Sequence, residues 1–331
     1  MKSFLKYKIY ARFDGGQSPK PLHELCLALI SEQKKTWQEL KEGYKLLKYI
    51  REREISCRGF SVRIQYNPGR IKSSLASVVE KNIKKRPCFL CLDNLPESQK
   101  GILYRKKYLI LCNPAPVFPS HFTISRLDHC RQTIAENINT FLTLIGDFGS
   151  GWVVLYNGPK CGASAPDHLH FQAISAGQMP VEREILAEKR LNRIRQINGV
   201  QLSRAKGLGR EVIILEGGDR IAVANIFKSF LKSLKKVFHT DEEPMMNIAC
   251  FFNERKWRLF IFPRAKHRPE AFFRGGDNRI MVSPGVIEMG GVVVTPIERD
   301  FKRLNASLVE GIFREVSLYG KTIASVIKAT A

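Results

Sequence analysis

Residues 168–172 read His-Leu-His-Phe-Gln, and this alternation is the strongest restriction in the chain. In a β-strand every second side chain points to the same face. A strand here puts His168, His170 and Gln172 on one face and Leu169 and Phe171 on the other. A loop of small residues, Gly162-Ala163-Ser164-Ala165-Pro166, runs into it from a further strand candidate, Trp152 to Tyr156. Such a loop offers backbone N–H groups, and a neutral imidazole serves either as a metal ligand or as a nucleophile. The segment therefore reads as an anion-handling site, with the roles of the two histidines open.

Around it the pattern is mixed. Leu22, Leu25, Cys26, Leu29 and Ile30 recur at helical spacing, continued by Trp37, Leu40, Tyr44 and Leu47, so residues 22–54 read as helical. Residues 60–66, 108–112 and 121–125 are strand candidates. Asp128 is placed to cap a helix whose apolar face is Ile134, Ile138, Phe141, Leu142 and Ile145. Residues 181–207, rich in Arg, Lys and Glu, read as a helical connector. Beyond it come an amphipathic helix at 221–238, the hairpin MNIACFF-NERK-WRLFIFP, the strand GGVVVTP and a helical last thirty residues. The order of elements in the two halves is similar, which hints at a duplicated unit. The expected division is a helical extension over 1–55, a catalytic unit over 56–180, a helical connector over 181–207 and a second unit over 208–331.

Cys88-Phe89-Leu90-Cys91 is a C-x-x-C, and two thiolates at this spacing suit one half of a tetrahedral zinc site. No second C-x-x-C exists, so the remaining ligands must be histidines. His129 and His168 are the first candidates and His121 the next. Cys112, Cys130 and Cys161 are single thiols, read as packing residues.

The chain has 331 residues, 44% of them hydrophobic, enough for one large or two ordinary domains. Its apolar runs are too short to span a bilayer, and the N-terminus lacks the apolar core of a secretory signal. The expectation is a cytoplasmic protein with reduced cysteines and no membrane partner. A net charge of +23 favours anionic partners. The basic residues are scattered and no nucleic-acid-binding motif stands out, so nucleic acid is a possible but not a favoured partner, and small phosphorylated substrates fit the charge equally well. Arg63 and Arg70 are placed to reach a nucleotide, and Lys266-His267-Arg268 to bind a phosphate or base. Glu288 receives no role.

CFLC at 88–91, LDH at 127–129 and HLHFQ at 168–172 follow an order that resembles the galactose-1-phosphate uridylyltransferases of the histidine-triad superfamily. YNGPKCGASAPDHLHFQ resembles still more the dinucleotide-polyphosphate phosphorylases and the GDP-hexose phosphorylases. QYNPGR at 65–70, LFIFPR at 259–264 and SPGVIEMGGVVVTPIERDF at 283–301 resemble elements of the GDP-hexose branch. The resemblance spans roughly residues 60–305.

What it implies is an α+β fold of two histidine-triad-like units, each an antiparallel sheet with helices. It also implies a nucleotidyltransferase or phosphorylase acting on a nucleoside diphosphate sugar, GDP-hexose by preference, through a nucleotidyl-histidine. The acceptor is inorganic phosphate or a sugar phosphate. The alternatives are a dinucleotide-polyphosphate phosphorylase and a non-catalytic, zinc-stabilised nucleotide- or nucleic-acid-binding protein. Under the resemblance His170 matches the nucleophile, and Gln172 the glutamine that replaces the third histidine of hydrolytic members. Cys88, Cys91, His129 and His168 match the ligands of a structural zinc. Asn157, Gly158 and Ser164 match the phosphate-cradling loop. Gly162 and Lys160 add donors to that loop on chemical grounds.

Overall fold

The computed structural model describes residues 2–71, 75, 83, 86–186 and 190–330. Among the described residues are fourteen strands: β1 (Ile9–Phe13), β2 (Arg51–Ser56), β3 (Ser61–Tyr66), β4 (Gly101–Tyr104), β5 (Tyr108–Cys112), β6 (His121–Arg126), β7 (Trp152–Asn157), β8 (His170–Ser175), β9 (Leu191–Ile197), β10 (Val200–Ala205), β11 (Ile213–Gly217), β12 (Met246–Asn253), β13 (Lys256–Pro263) and β14 (Val292–Thr295). Eleven of them make one sheet in the order β1-β4-β5-β6-β8-β7-β12-β13-β11-β10-β9. The other three make a small sheet, β14-β3-β2. All pairings are antiparallel except β1 with β4 and β14 with β3.

The order exposes a duplication. Three strands, β4 to β6, precede helix Ile138–Phe148 and the strands β7 and β8. Three more, β9 to β11, precede helix Arg220–Phe238 and the strands β12 and β13. The two sets meet where β7 pairs with β12, with Leu155 opposite Ala249 and Asn157 opposite Asn247. The α+β class is as the sequence implies, and the sheets of the two units run on as one.

Alternation along the central strands fixes the layers. Trp152, Val154 and Tyr156 join Phe122, Phe171, Ile248 and Leu259 in a core under helices Leu22–Thr36, Ile138–Phe148, Arg220–Phe238 and Lys321–Ala329. Val153, Leu155, Ala249, Phe260 and Phe262 face the other way. They pack with Val62 and Ile64 of β3, Val292 to Val294 of β14 and helix Ala306–Val316. Both faces of the sheet are thus buried, which matches the near-continuous apolar runs of β7 and β12.

Three sequence readings need correction. In the 181–207 connector, helix is confined to Pro180–Leu186, and β9 and β10 follow as an edge hairpin; residues 187–189 lie outside the described ones. An outer strand with one free edge carries Asn192, Arg193 and Gln196 in solvent, and this polarity hides it from an alternation test. The 1–55 extension is not all helix: β1 adds to the large sheet beside β4, and β2 begins at Arg51. The helix placed after Asp128 starts at Ile138: the chain bends at 127–128 and takes no regular structure over 129–133, where Leu169 N–H bonds to Cys130 O at 2.7 Å.

Candidate active site and metal centre

β8 begins at His170, so the polar face of the strand holds His170 and Gln172 while His168 stands just before it. The separation sends the two imidazoles to different places. His170 and Gln172 line a cavity of about 720 Å³, and His168 turns into a cluster with Cys88, Cys91 and His129. Both histidines are almost wholly buried, His168 at 0% and His170 at 3% exposure.

His170 is held from two sides. Its Nδ1 lies 2.8 Å from the backbone oxygen of His168, an acceptor, so the ring proton sits on Nδ1 and Nε2 keeps its lone pair. Its backbone is bracketed by buried Gln132, whose Oε1 accepts from His170 N–H at 2.8 Å and whose Nε2 donates to His170 O at 3.0 Å. The same amide nitrogen reaches Asn157 O at 2.9 Å and ties β8 to β7. Burial drives the His170 pKa down to about 4. The ring is therefore neutral at pH 7. Sequence reasoning missed Gln132, which sits in the stretch read as helix.

The small-residue loop closes over this face. Gly162 has φ +100°, and a Cβ there would stand 2.8 Å from Gly285 Cα and 3.0 Å from Asn157 Oδ1. Only glycine fits that backbone and that approach. Asn157, Gly162 and Ser164 line the cavity, as does Arg70, whose Nη1 donates to Ala115 O at 2.9 Å. Gly158 bridges to Cys161 and Gly162 and shapes the loop from behind. Lys160 does not reach the cavity; it is exposed and paired with Glu242. Arg63 is also turned away, toward Glu52 and Gln178 O.

The second half supplies the opposite wall. His267, Arg268, Ser283, Gly285 and Glu288 line the cavity, so two members of the Lys266-His267-Arg268 triplet arrive while Lys266 pairs with Glu270 and Glu315. Burial raises the pKa of Glu288, whose carboxylate accepts from Gly285 N–H at 2.8 Å. Trp37 and Glu39 bring the N-terminal extension to the same cavity, although it lies outside the sequence resemblance.

The four sulfur and nitrogen atoms of Cys88, Cys91, His129 and His168 lie within 4.8 Å of one another. Cys88 Sγ is 3.2 Å from His168 Nδ1, and Cys91 Sγ is 3.2 Å from His129 Nδ1. His168 Nε2 donates to Arg126 O at 2.7 Å, which leaves its Nδ1 lone pair facing the sulfurs. Burial, followed by Cys88, pushes the Cys91 thiol up to about 11, and a dication between the sulfurs reverses that effect. The donor set among the described residues, two thiols and two imidazoles, fits tetrahedral zinc. His121, the reserve ligand, stands outside the cluster and contacts Gln172 instead. Of the single thiols, Cys112 and Cys161 are buried and Cys130 half-buried; all eight cysteines are unpaired.

A family described only as a domain of unknown function (DUF4922) matches residues 29–175. No curated protein matches the chain. Among solved structures, yeast Ap4A phosphorylase Apa2 in complex with AMP is similar over 88% of this chain and 96% of its own, at 14% identity and a TM-score of 0.58. The same enzyme in complex with Ap4A gives 14% identity, 88% and 97% coverage and 0.58. A DUF4931 family protein from Bacillus cereus matches over 47% of this chain with a TM-score of 0.38. At these identities the likeness to the yeast enzyme is one of fold. Among the described residues no helix is long and apolar enough to cross a membrane.

Proposed function

We propose that the chain is a nucleotidyl-transferring phosphorylase that works through His170, with a dinucleoside polyphosphate as the favoured substrate. The observation that carries this reading is the neutral His170, fixed through Nδ1 on a backbone oxygen, beside Gln172 in a cavity walled by a glycine-bearing loop. The solved structures sharing the fold hold AMP and Ap4A, which supports a dinucleotide over the GDP-hexose suggested by the flanking motifs.

His170 Nε2 attacks the α-phosphorus and forms an N–P bond. The P–O bond to the remainder of the substrate breaks, and its electron pair leaves on that oxygen. An oxygen of inorganic phosphate then attacks the same phosphorus, the N–P bond breaks and the imidazole regains its lone pair. The products of a dinucleoside polyphosphate are a nucleoside polyphosphate and a nucleoside diphosphate. Negative charge spreads over the phosphoryl oxygens in each step. The N–H groups of the 162–164 loop and the Gln172 amide are suited to receive it. Gln172 has no proton to give at neutral pH, and a phosphate leaving group needs none. Its presence favours transfer between phosphates over hydrolysis at poor leaving groups.

Cys88, Cys91, His129 and His168 would hold zinc with no position open to water, so its contribution is structural. Through His168 these residues fix the carbonyl that orients His170.

The test is mass spectrometry of the protein incubated with Ap4A or with GDP-hexose, without and then with phosphate. A nucleotidyl adduct on His170 that phosphate consumes, and that His170→Ala lacks, is the expected result. Full turnover by His170→Ala would sink the enzymatic reading. A binding protein without turnover would instead give no adduct and a nucleic-acid affinity that falls steeply with salt.

A further inference from the structure

We infer that His121 is a positioning residue that fixes the amide of Gln172, so that the side-chain amides on the floor of the cavity present their N–H ends and select phosphate oxygens. The inference rests on the reading of Gln172 as a substrate-facing group and adds to it a device that no sequence motif marks.

The geometry assigns each proton. Val117 N–H donates to His121 Nδ1 at 3.1 Å, so Nδ1 carries a lone pair. The ring is buried at 0% exposure beside Arg70, Asn113 and Gln172, and among the described residues no carboxylate is bonded to it. A neutral imidazole with Nδ1 as acceptor has its hydrogen on Nε2. That Nε2 lies 2.9 Å from Gln172 Oε1. The Gln172 oxygen is thereby committed inward, and its NH2 is the end left for the cavity that the residue lines.

Two neighbouring amides are set the same way. Asn113 Oδ1 accepts from Ala115 N–H at 3.0 Å. Asn157 Oδ1 accepts from Val286 N–H at 2.8 Å and from Asn247 Nδ2 at 2.7 Å. Asn113, Asn157 and Gln172 all line the cavity, and each has its oxygen occupied from behind. Strand register puts them in one row: Asn113 N–H bonds His121 O, Thr123 stands opposite Gln172, and Gln172 opposite Leu155, two residues from Asn157 on the same face. Arg70 adds a cation to the row.

A wall of this kind matches ligand atoms that only accept. Phosphate oxygens do. A sugar hydroxyl buried against these three amide N–H ends finds no acceptor on them for its own hydrogen, which is costly in a closed site. The row thus favours a substrate whose leaving portion continues as phosphates over one that continues as a hexose.

Two measurements test this on the full-length, zinc-supplemented protein. The first needs no variant: imidazole 15N shifts of His121 should report the Nε2–H tautomer, and the Nδ1–H tautomer would overturn the inference. The second is a double-mutant cycle read as kcat/KM for Ap4A with phosphate. His121→Phe should lower it about tenfold or more, His121→Gln, which keeps a donor near the Nε2 position, should recover most of that loss, and His121→Phe should cost little once Gln172→Ala is present. Additive losses would mean that His121 only packs the core, and the inference fails while the nucleophile reading stands. An absent wild-type adduct on His170 would remove the reading and the inference together.

Discussion

At the scale of single residues the sequence marked the proposed nucleophile, His170, and hid what holds it. His170, Gln172 and the four residues of the candidate metal cluster stand in short motifs. Gln132 has no motif, because its contribution is three hydrogen bonds to backbone atoms 25 and 38 positions away. His121 was legible only as a spare histidine. Lys160 misled in the opposite sense: nearness in sequence to the loop suggested a phosphate contact, while the side chain is exposed beside Glu242. Gln132→Leu removes all three bonds and leaves the His170 N–H and two buried carbonyls unpaired. We expect a loss of about 2–4 kcal/mol of stability in urea denaturation. We also expect slower formation of the His170 adduct, since the ring loses its backbone support. Unchanged stability would show that water replaces the amide.

At the scale of elements, the longer strands with two buried faces were readable, while the edge strands and the short interior strands β4 and β11 were not. β5, β6, β7 and the β12–β13 hairpin declare themselves by apolar runs bounded by turns. β9 does not, because charged residues suit its solvent-facing positions as well as they suit a helix. The candidate metal cluster belongs to this scale too. A bound ion would clip the 88–91 turn to the end of β6 and the start of β8; those two are already laddered together, and among the described residues no strand ladder joins the turn to them. Chelation of bound zinc should therefore lower the melting temperature by several degrees, at roughly 2 °C per kcal/mol in a chain of this size. Cys91→Ala should do the same and make the protein insensitive to the chelator. The check is differential scanning fluorimetry of both proteins with and without chelator. Equal melting of chelated and untreated wild type would speak against a structural metal.

At the scale of the whole molecule, the duplicated order of elements could be suspected from sequence, but the join could not. Register between β7 and β12 is set by residues about 90 positions apart, and pairing of that range leaves no local trace. The join brings Glu243, just before β12, against the first unit, where its carboxylate accepts from Tyr156 O–H and, at 2.7 Å, from Ile134 N–H. Burial raises its pKa from 4.5 to about 7 despite these bonds and the nearby Lys235 cation. A carboxyl whose folded pKa exceeds its unfolded one binds more protons in the folded state between the two values. Its stabilising contribution is complete below pH 4.5 and is lost as the pH rises through 7. Glu243→Gln keeps an acceptor and has no charge to develop. The stability of wild type relative to this variant should therefore fall between about pH 5 and pH 8 in urea denaturation at matched salt. Parallel profiles would mean that Glu243 ionises in the folded protein as it does in the unfolded chain, and that the junction holds a full carboxylate charge without cost.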